Sequence, residues 1–132
     1  VKFPFNPALG TILVGGELTG PSASTIVVLA LDTGASGTTI NADRLTAIGF
    51  DLSQYSPSIS MATGTGVVQV ARLPVASFKA LGRIRSPYSV FAHTLPQSTG
   101  VDGVLGLDFF HDLILTLDFR KGEITVASSP TP

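Results

Sequence analysis

Residues 25–31 read Thr-Ile-Val-Val-Leu-Ala-Leu, a run without a charge, and Asp32 ends it. Its β-branched residues favour an extended chain. A run apolar throughout predicts a strand buried on both faces, and therefore central in a sheet. A carboxylate is costly to bury without partners, so Asp32 marks the point where that strand emerges. Small residues follow at once: Thr33, Gly34, Ala35, Ser36 and Gly37.

The rest of the chain is broken into short pieces by 14 glycines and nine prolines. Residues 1–10, with Pro4 and Pro7, read as an extended arm. Residues 11–18 read as a strand with a bulge at Gly15-Gly16. A short helix is predicted after Asn41, with Asn41 as N-cap, Leu45 and Ile48 on one face and Gly49 in the left-handed C′ position. Residues 58–73 read as two strands around a small-residue tip, Thr63-Gly64-Thr65-Gly66. Further strands are expected in 74–81 and 88–95. The segment 101–113 predicts a second short helix with Asp108 as its N-cap. A closing hairpin follows around Lys121-Gly122, with Leu113, Leu115, Leu117 and Phe119 alternating onto one face. The tail, 128–132, reads as frayed. These elements predict one all-β domain over residues 1–132, a small closed barrel with one or two short helices. The apolar strand that runs into Asp32-Thr33-Gly34 has a weaker echo in Gly103-Val104-Leu105-Gly106-Leu107-Asp108, a degenerate internal two-fold.

Composition limits the function. Charged residues make up 13% of the chain and hydrophobic ones 44%, which suits a folded chain with apolar surface left for a partner to cover. A net charge of −1, with no basic stripe, leaves no footprint for nucleic acid. There is no cysteine, so neither a disulfide framework nor a thiolate metal site is available. His93 and His111 match no metal-ligand spacing, and no metal or cofactor is expected. No apolar run reaches the roughly 20 residues of a membrane helix, so this segment is expected not to insert. No signal peptide is visible, and a start at Val1 reads as a processed or excised form of a longer or membrane-tethered protein; the compartment stays open.

Other chemistries are excluded by single residues. Gly34-Ala35-Ser36-Gly37-Thr38 has Thr38 where a nucleophile elbow needs its last glycine. No Gly-Lys-Ser/Thr closes a phosphate loop. An aspartyl-phosphate enzyme places a second Asp two residues after the first, where this chain has Gly34. Asp32 at a strand end is well placed for a catalytic carboxylate, but the same arrangement serves an Asx turn. By average residue usage, Asp-Thr-Gly followed by Ala or Ser arises by chance in roughly one such chain in a few hundred, so the motif needs support from elsewhere.

That support comes from a resemblance. Leu29 to Ile40 resembles the active-site strand of the aspartic proteases. The chain length and single Asp-Thr-Gly resemble the retropepsin-like branch, known from retroviruses and from bacteria. Residues 60–68 are similar to that family's flap, 100–110 to its apolar-apolar-Gly segment and following helix, and 113–126 to the closing hairpin of bacterial members. The resemblance covers residues 11–127 in a consistent order. It implies Asp32 as the catalytic carboxylate, Thr33 as a hydroxyl grip across a dimer, and Gly34 facing the substrate backbone. Ala35 replaces the Ser or Thr of pepsin-like members, which implies a pH optimum above pepsin's. Ser36 and Gly37 stand for the acidic pair of viral members and Leu107 for their arginine, so the ion pairs that brace viral dimers are absent.

The implied activity is that of an aspartic endopeptidase: two copies of Asp32, brought together in a homodimer, cleave an extended peptide or protein substrate. Thr63, Gly64, Thr65, Gly66 and Val67 are expected to cover the substrate, and Ile40, Val67, Val101 and Val104 to wall an apolar pocket. The chain ends, residues 1–10 and 123–129, are the expected extra strands at the dimer interface. The alternative is a non-catalytic dimerisation or peptide-binding module of the same fold. Of the other residues, Asp102 reads as structural, Met61 and Phe91 as core, and His93 and His111 as surface or satisfied core positions.

Overall fold

The computed structural model describes residues 1–63, 65–96 and 100–129. Among the described residues twelve strands carry the fold. They are β1 (Lys2–Pro4), β2 (Leu13–Thr19), β3 (Ser24–Leu31), β4 (Thr39–Asn41), β5 (Ile59–Thr63), β6 (Gly66–Val75), β7 (Ser77–Ala80), β8 (Arg83–Arg85), β9 (Tyr88–His93), β10 (Gly103–Leu105), β11 (Ile114–Asp118) and β12 (Glu123–Ala127). One α-helix, α1 (Ala42–Ala47), and short 3-10 turns at Leu52–Gln54 and Leu107–Phe110 complete it. The all-β reading holds.

Nine strands form one sheet in the order β5-β6-β9-β4-β10-β3-β2-β7-β8, and β1-β12-β11 form a second. The closed barrel expected from sequence is not formed among the described strands. Closure needs the first and last strands to pair, whereas β5 pairs with β6 alone and the three-residue β8 with β7 alone. The second sheet joins the chain's two ends. Lys2 lies opposite Thr125, and an ion pair of 3.4 Å links Lys2 to Glu123. These terminal strands therefore pair within one chain.

The core lies on one face of the nine-stranded sheet. Leu18, Val27, Leu29, Leu73, Phe78 and Val90 are almost fully buried there. The aromatic centre is Phe78, packed edge-on to Phe109 at 5.3 Å and stacked on Tyr88 at 5.6 Å. The strand expected to be buried twice is buried once. On β3, Val27 and Leu29 face the core, while Ile26 and Val28 are 63% and 40% exposed. Its outer neighbours on β2, Leu13 and Gly15, are exposed too, so no second layer covers that face in a single chain.

Elsewhere the local chemistry behaves as its residues dictate. α1 buries Leu45, and Ile48 follows it into the core. Gly49 takes φ +106 just past the helix end, a conformation glycine adopts without strain. Asn41 precedes the helix without making a side-chain cap. Leu113, Leu115 and Leu117 pack against the core. Phe119 has left that row for the turn, where it is 60% exposed and meets Phe5 edge-on at 5.4 Å.

Candidate active site

Two parallel strands set the position of Asp32. β10 runs beside β3 with Val104 opposite Ala30 and Leu105 opposite Leu31, so the two segments with similar sequences lie side by side. Beyond the strands, the turns that follow are stitched together. The Asp32 amide donates to the Leu105 carbonyl at 3.0 Å, Leu107 N–H to Ala35 O at 2.8 Å, and Asp108 N–H to Ser36 O at 3.2 Å. A side chain at Gly106 would collide with the Gly37 carbonyl and come within 2.9 Å of the Ala35 carbonyl. The glycine after Val104-Leu105 is thus what lets the two turns touch.

Within the first turn, Asp32 Oδ1 accepts the Gly34 amide at 2.8 Å. The Asx turn and the exposed carboxylate are therefore one arrangement. The backbone holds one oxygen, and the side chain still faces open space. Thr33 is exposed, and its hydroxyl has no partner among the described residues. Above Gly34 lies only the Asp32 carboxylate, 3.1 Å from where a Cβ would stand. Gly37 is filled from the other side by the Phe91 ring, whose Cδ2 would lie 2.8 Å from an added Cβ.

Thr38 anchors the far end of the turn and is fully buried. Its hydroxyl donates to Asp108 Oδ1 at 2.9 Å and accepts the Gly106 amide at 3.1 Å. Its own amide donates to Asp108 Oδ2 at 3.3 Å, and its carbonyl accepts the Phe91 amide at 2.9 Å. The Tyr88 hydroxyl adds a 2.7 Å bond to Asp108 Oδ1. Asp108 is thus not the helix cap expected from sequence. Gly106 stands at the N-cap of the 3-10 turn, and no side chain caps it. The carboxylate instead reaches back to Thr38 and ties the Asp32 turn to the aromatic core. Burial, reinforced by Asp108, raises the Tyr88 phenol well above its ordinary value and outweighs the opposing Thr38 hydroxyl and Arg85 charge. Arg85 braces the end of the same turn by donating to the carbonyls of Phe109, at 2.7 Å, and His111, at 2.6 Å.

The carboxylate opens into a cleft of about 720 Å³. Asp32, Gly34, Ala35, Ser36, Gly37 and Thr39 form the floor, and Val104 stands beside them. The β5–β6 hairpin supplies Ile59, Met61, Thr65 and Val68. The end of β9 and the residues after it supply Phe91, His93 and Leu95. Met61 and Phe91 are therefore wall residues rather than core, and His93 is a cleft residue. The alternation along β9, with Phe91 and His93 on one side, carried that signal. Their apolar or singly polar character hid it.

Several expected wall residues stand elsewhere. Ile40 is fully buried in the core, and its neighbour Thr39 faces the cleft, because successive strand residues point to opposite faces. Val101 borders a separate hollow of about 470 Å³ with Leu9, Leu13 and Ala30. Val67 is 68% exposed and outside the lining; Val68, paired with Met61, takes the inward place. Gly66 pairs with Thr63 across the hairpin and is also outside the lining, while Gly64 lies outside the described residues. Asp102 is structural: it accepts the Val28 amide at 2.8 Å and pairs with Arg44 at 3.1 Å. Among the described residues no cluster of side chains could hold a metal ion, and no helix is long and apolar enough to cross a membrane.

A single Asp-Thr-Gly turn is stitched to a glycine turn after a parallel strand and faces a cleft under a hairpin. The chain belongs to the aspartyl protease family, whose model matches residues 16–109, well over half of its length. Solved structures place it in the retropepsin-like fold. It is similar to a retropepsin-like aspartic protease from Rickettsia conorii, with a TM-score of 0.74 at 16% identity over 96% of this chain and 89% of that one. It is also similar to the EIAV protease complexed with the inhibitor HBY-793, with a TM-score of 0.60 at 17% identity over 80% and 89%. A third likeness is the retroviral protease-like domain of Ddi1 from Leishmania major, with a TM-score of 0.60 at 16% identity over 89% of each chain. No curated relative matches by sequence.

Proposed function

We propose that the protein is an aspartic endopeptidase whose active site is completed by a second copy of the same chain. The observation that carries this is the charge inventory of the cleft. Asp32 is the only carboxylate among its lining residues, and the chemistry needs two. An isologous two-fold dimer supplies the second automatically. The exposed, unpartnered Thr33 hydroxyl beside it is available for a bond to the other copy.

Two carboxylates held close share one proton. The ionised Asp32 takes a proton from a water, and the water oxygen attacks the peptide carbonyl. The neutral Asp32 gives its proton to the carbonyl oxygen, which forms a tetrahedral diol. On collapse the carboxylate that gave up its proton takes one back from the diol, and the other delivers the water's proton to the leaving nitrogen, so one water and one peptide yield one acid and one amine. The substrate lies extended beneath the β5–β6 hairpin. Apolar side chains flank the scissile bond against Met61, Val68 and Val104.

Incubation with a mixed peptide library at several pH values, with and without pepstatin, tests the reading by mass spectrometry of the products. Pepstatin-sensitive cleavage is expected, and Asp32→Asn should lower it by about a thousandfold or more, the scale seen when a catalytic group is removed. An unaffected Asn variant would overturn the mechanism. Binding of peptides without any cleavage would favour the non-catalytic module instead.

A further inference from the structure

The cleft is asymmetric in charge. Apart from Asp32, its one ionisable lining residue is His93, half-buried and without a hydrogen bond or ion pair among the described residues. Next to it, the Arg72 guanidinium lies over the Phe91 ring, 5.9 Å from the centroid. Arg72 is exposed and is not among the ion-paired groups of the described residues. The strand register fixes the relation between these groups. Arg72 on β6 is the cross-strand neighbour of Phe91 on β9, and His93 is two residues further along the same strand face. A guanidinium and an imidazole therefore flank one aromatic wall residue, the imidazole in the cleft lining and the guanidinium just outside it.

Nothing nearby neutralises them. β9 packs against β4, β6 and α1. β4 carries no charged residue, and the only one on β6 is Arg72 itself. α1 carries Asp43 and Arg44, both exposed, with Arg44 turned to Asp102. His93 also borders a second hollow, where the other titratable lining residue is Tyr55. Across the floor the remaining charge is Asp32.

We propose that this wall is a subsite for an acidic side chain: Arg72 and His93, on either side of Phe91, select substrates carrying Asp or Glu at a position removed from the scissile bond. The inference rests on the cleft being the peptide site. The negative charge at Asp32 repels a carboxylate at the bond itself, so apolar residues belong there and the acid belongs at the β9 wall. The Arg72 guanidinium and the His93 imidazole each present N–H groups that can donate to a carboxylate.

The test uses fluorescein-labelled eight-residue peptides with a Leu-Phe centre, in which Glu or Gln is scanned through the flanking positions. Binding to the Asp32→Asn protein is measured by anisotropy at pH 5 and 7.5, and kcat/KM on the wild type is measured alongside. At one flanking position Glu should be favoured over Gln by roughly three- to tenfold, the scale of partly exposed charge pairs. His93→Gln and Arg72→Gln should each lower that ratio. Melting temperatures check that both variants are folded. A Glu/Gln ratio of one at every position, or a ratio untouched by both substitutions, would overturn the proposal. Binding that shows the preference in the absence of any cleavage would leave the subsite standing and remove the protease reading.

Discussion

Thr38 shows how much one small side chain can hold. Five polar contacts converge on it, and they connect the Asp32 turn, the Gly106 turn, β9 and the aromatic core. Thr38→Val keeps the volume but strands the Gly106 amide and takes a donor from Asp108. It should cost about 1–3 kcal/mol, the penalty for an unsatisfied buried group, as read from urea unfolding. Tyr88 adds a pH signature. Its phenol is raised in the fold, so the folded state keeps the proton where the unfolded chain loses it. Its stabilising contribution is whole below about pH 10, the ordinary phenol value, and is lost as pH rises beyond it. The stability difference between wild type and Tyr88→Phe should therefore shrink above pH 10; a constant difference to pH 11.5 would refute the assignment. At this scale the turn at Asp32 was legible, because an acid after an apolar run marks where the strand ends. Asp108 was not, because a cap and a long-range acceptor look alike until Thr38 and Tyr88, far away in sequence, are brought beside it.

The elements show a division between what sequence patterns reveal and what they hide. Most strands were legible from β-branched runs between Gly and Pro. The three-residue β8, Arg-Ile-Arg, was not, being too short to show a period. The apolar character of β3 was read as double burial. Its outer face is instead an apolar surface open in one chain, and composition alone cannot separate a covered layer from an interface. Glycines divide in the same way. At Gly106 a methyl group would strike the backbone of the Asp32 turn at Gly37. Gly106→Ala should then cost about 3 kcal/mol or more, at the upper end for overpacking a close contact, and should reduce cleavage with it. Gly15 on β2 has nothing within 4 Å of an added Cβ. Gly15→Ala should be neutral or slightly stabilising, by about 0.5 kcal/mol. Thermal melts of the two variants side by side check the contrast, which sequence alone does not offer.

At the scale of the whole molecule, the proposed site has one carboxylate per chain, which would make activity a property of association. If the proposed dimer carries catalysis, specific activity should rise with protein concentration in the dilute range. Excess Asp32→Asn protein should then suppress the wild type through mixed dimers. Strict proportionality between rate and concentration, with a monomer in the ultracentrifuge, would require a different second acid. The fold class was legible because strands, tip and turns occur in a consistent order. The open sheet was not, since pairing at its ends depends on β5 and β8, whose partners no local pattern specifies. Lys2 lying opposite Thr125 in the terminal sheet has one more consequence. The described chain is nearly a ring. A few flexible residues between Ser129 and Val1 would close the circle, and the exposed loop at Ser56-Pro57 offers a place to cut it, as adjacent ends and a surface break usually permit. Such a rewired chain should fold to the same sheets with its melting temperature little changed. The order of the elements along the chain would then be incidental to the architecture, and their neighbours in space would be what defines it.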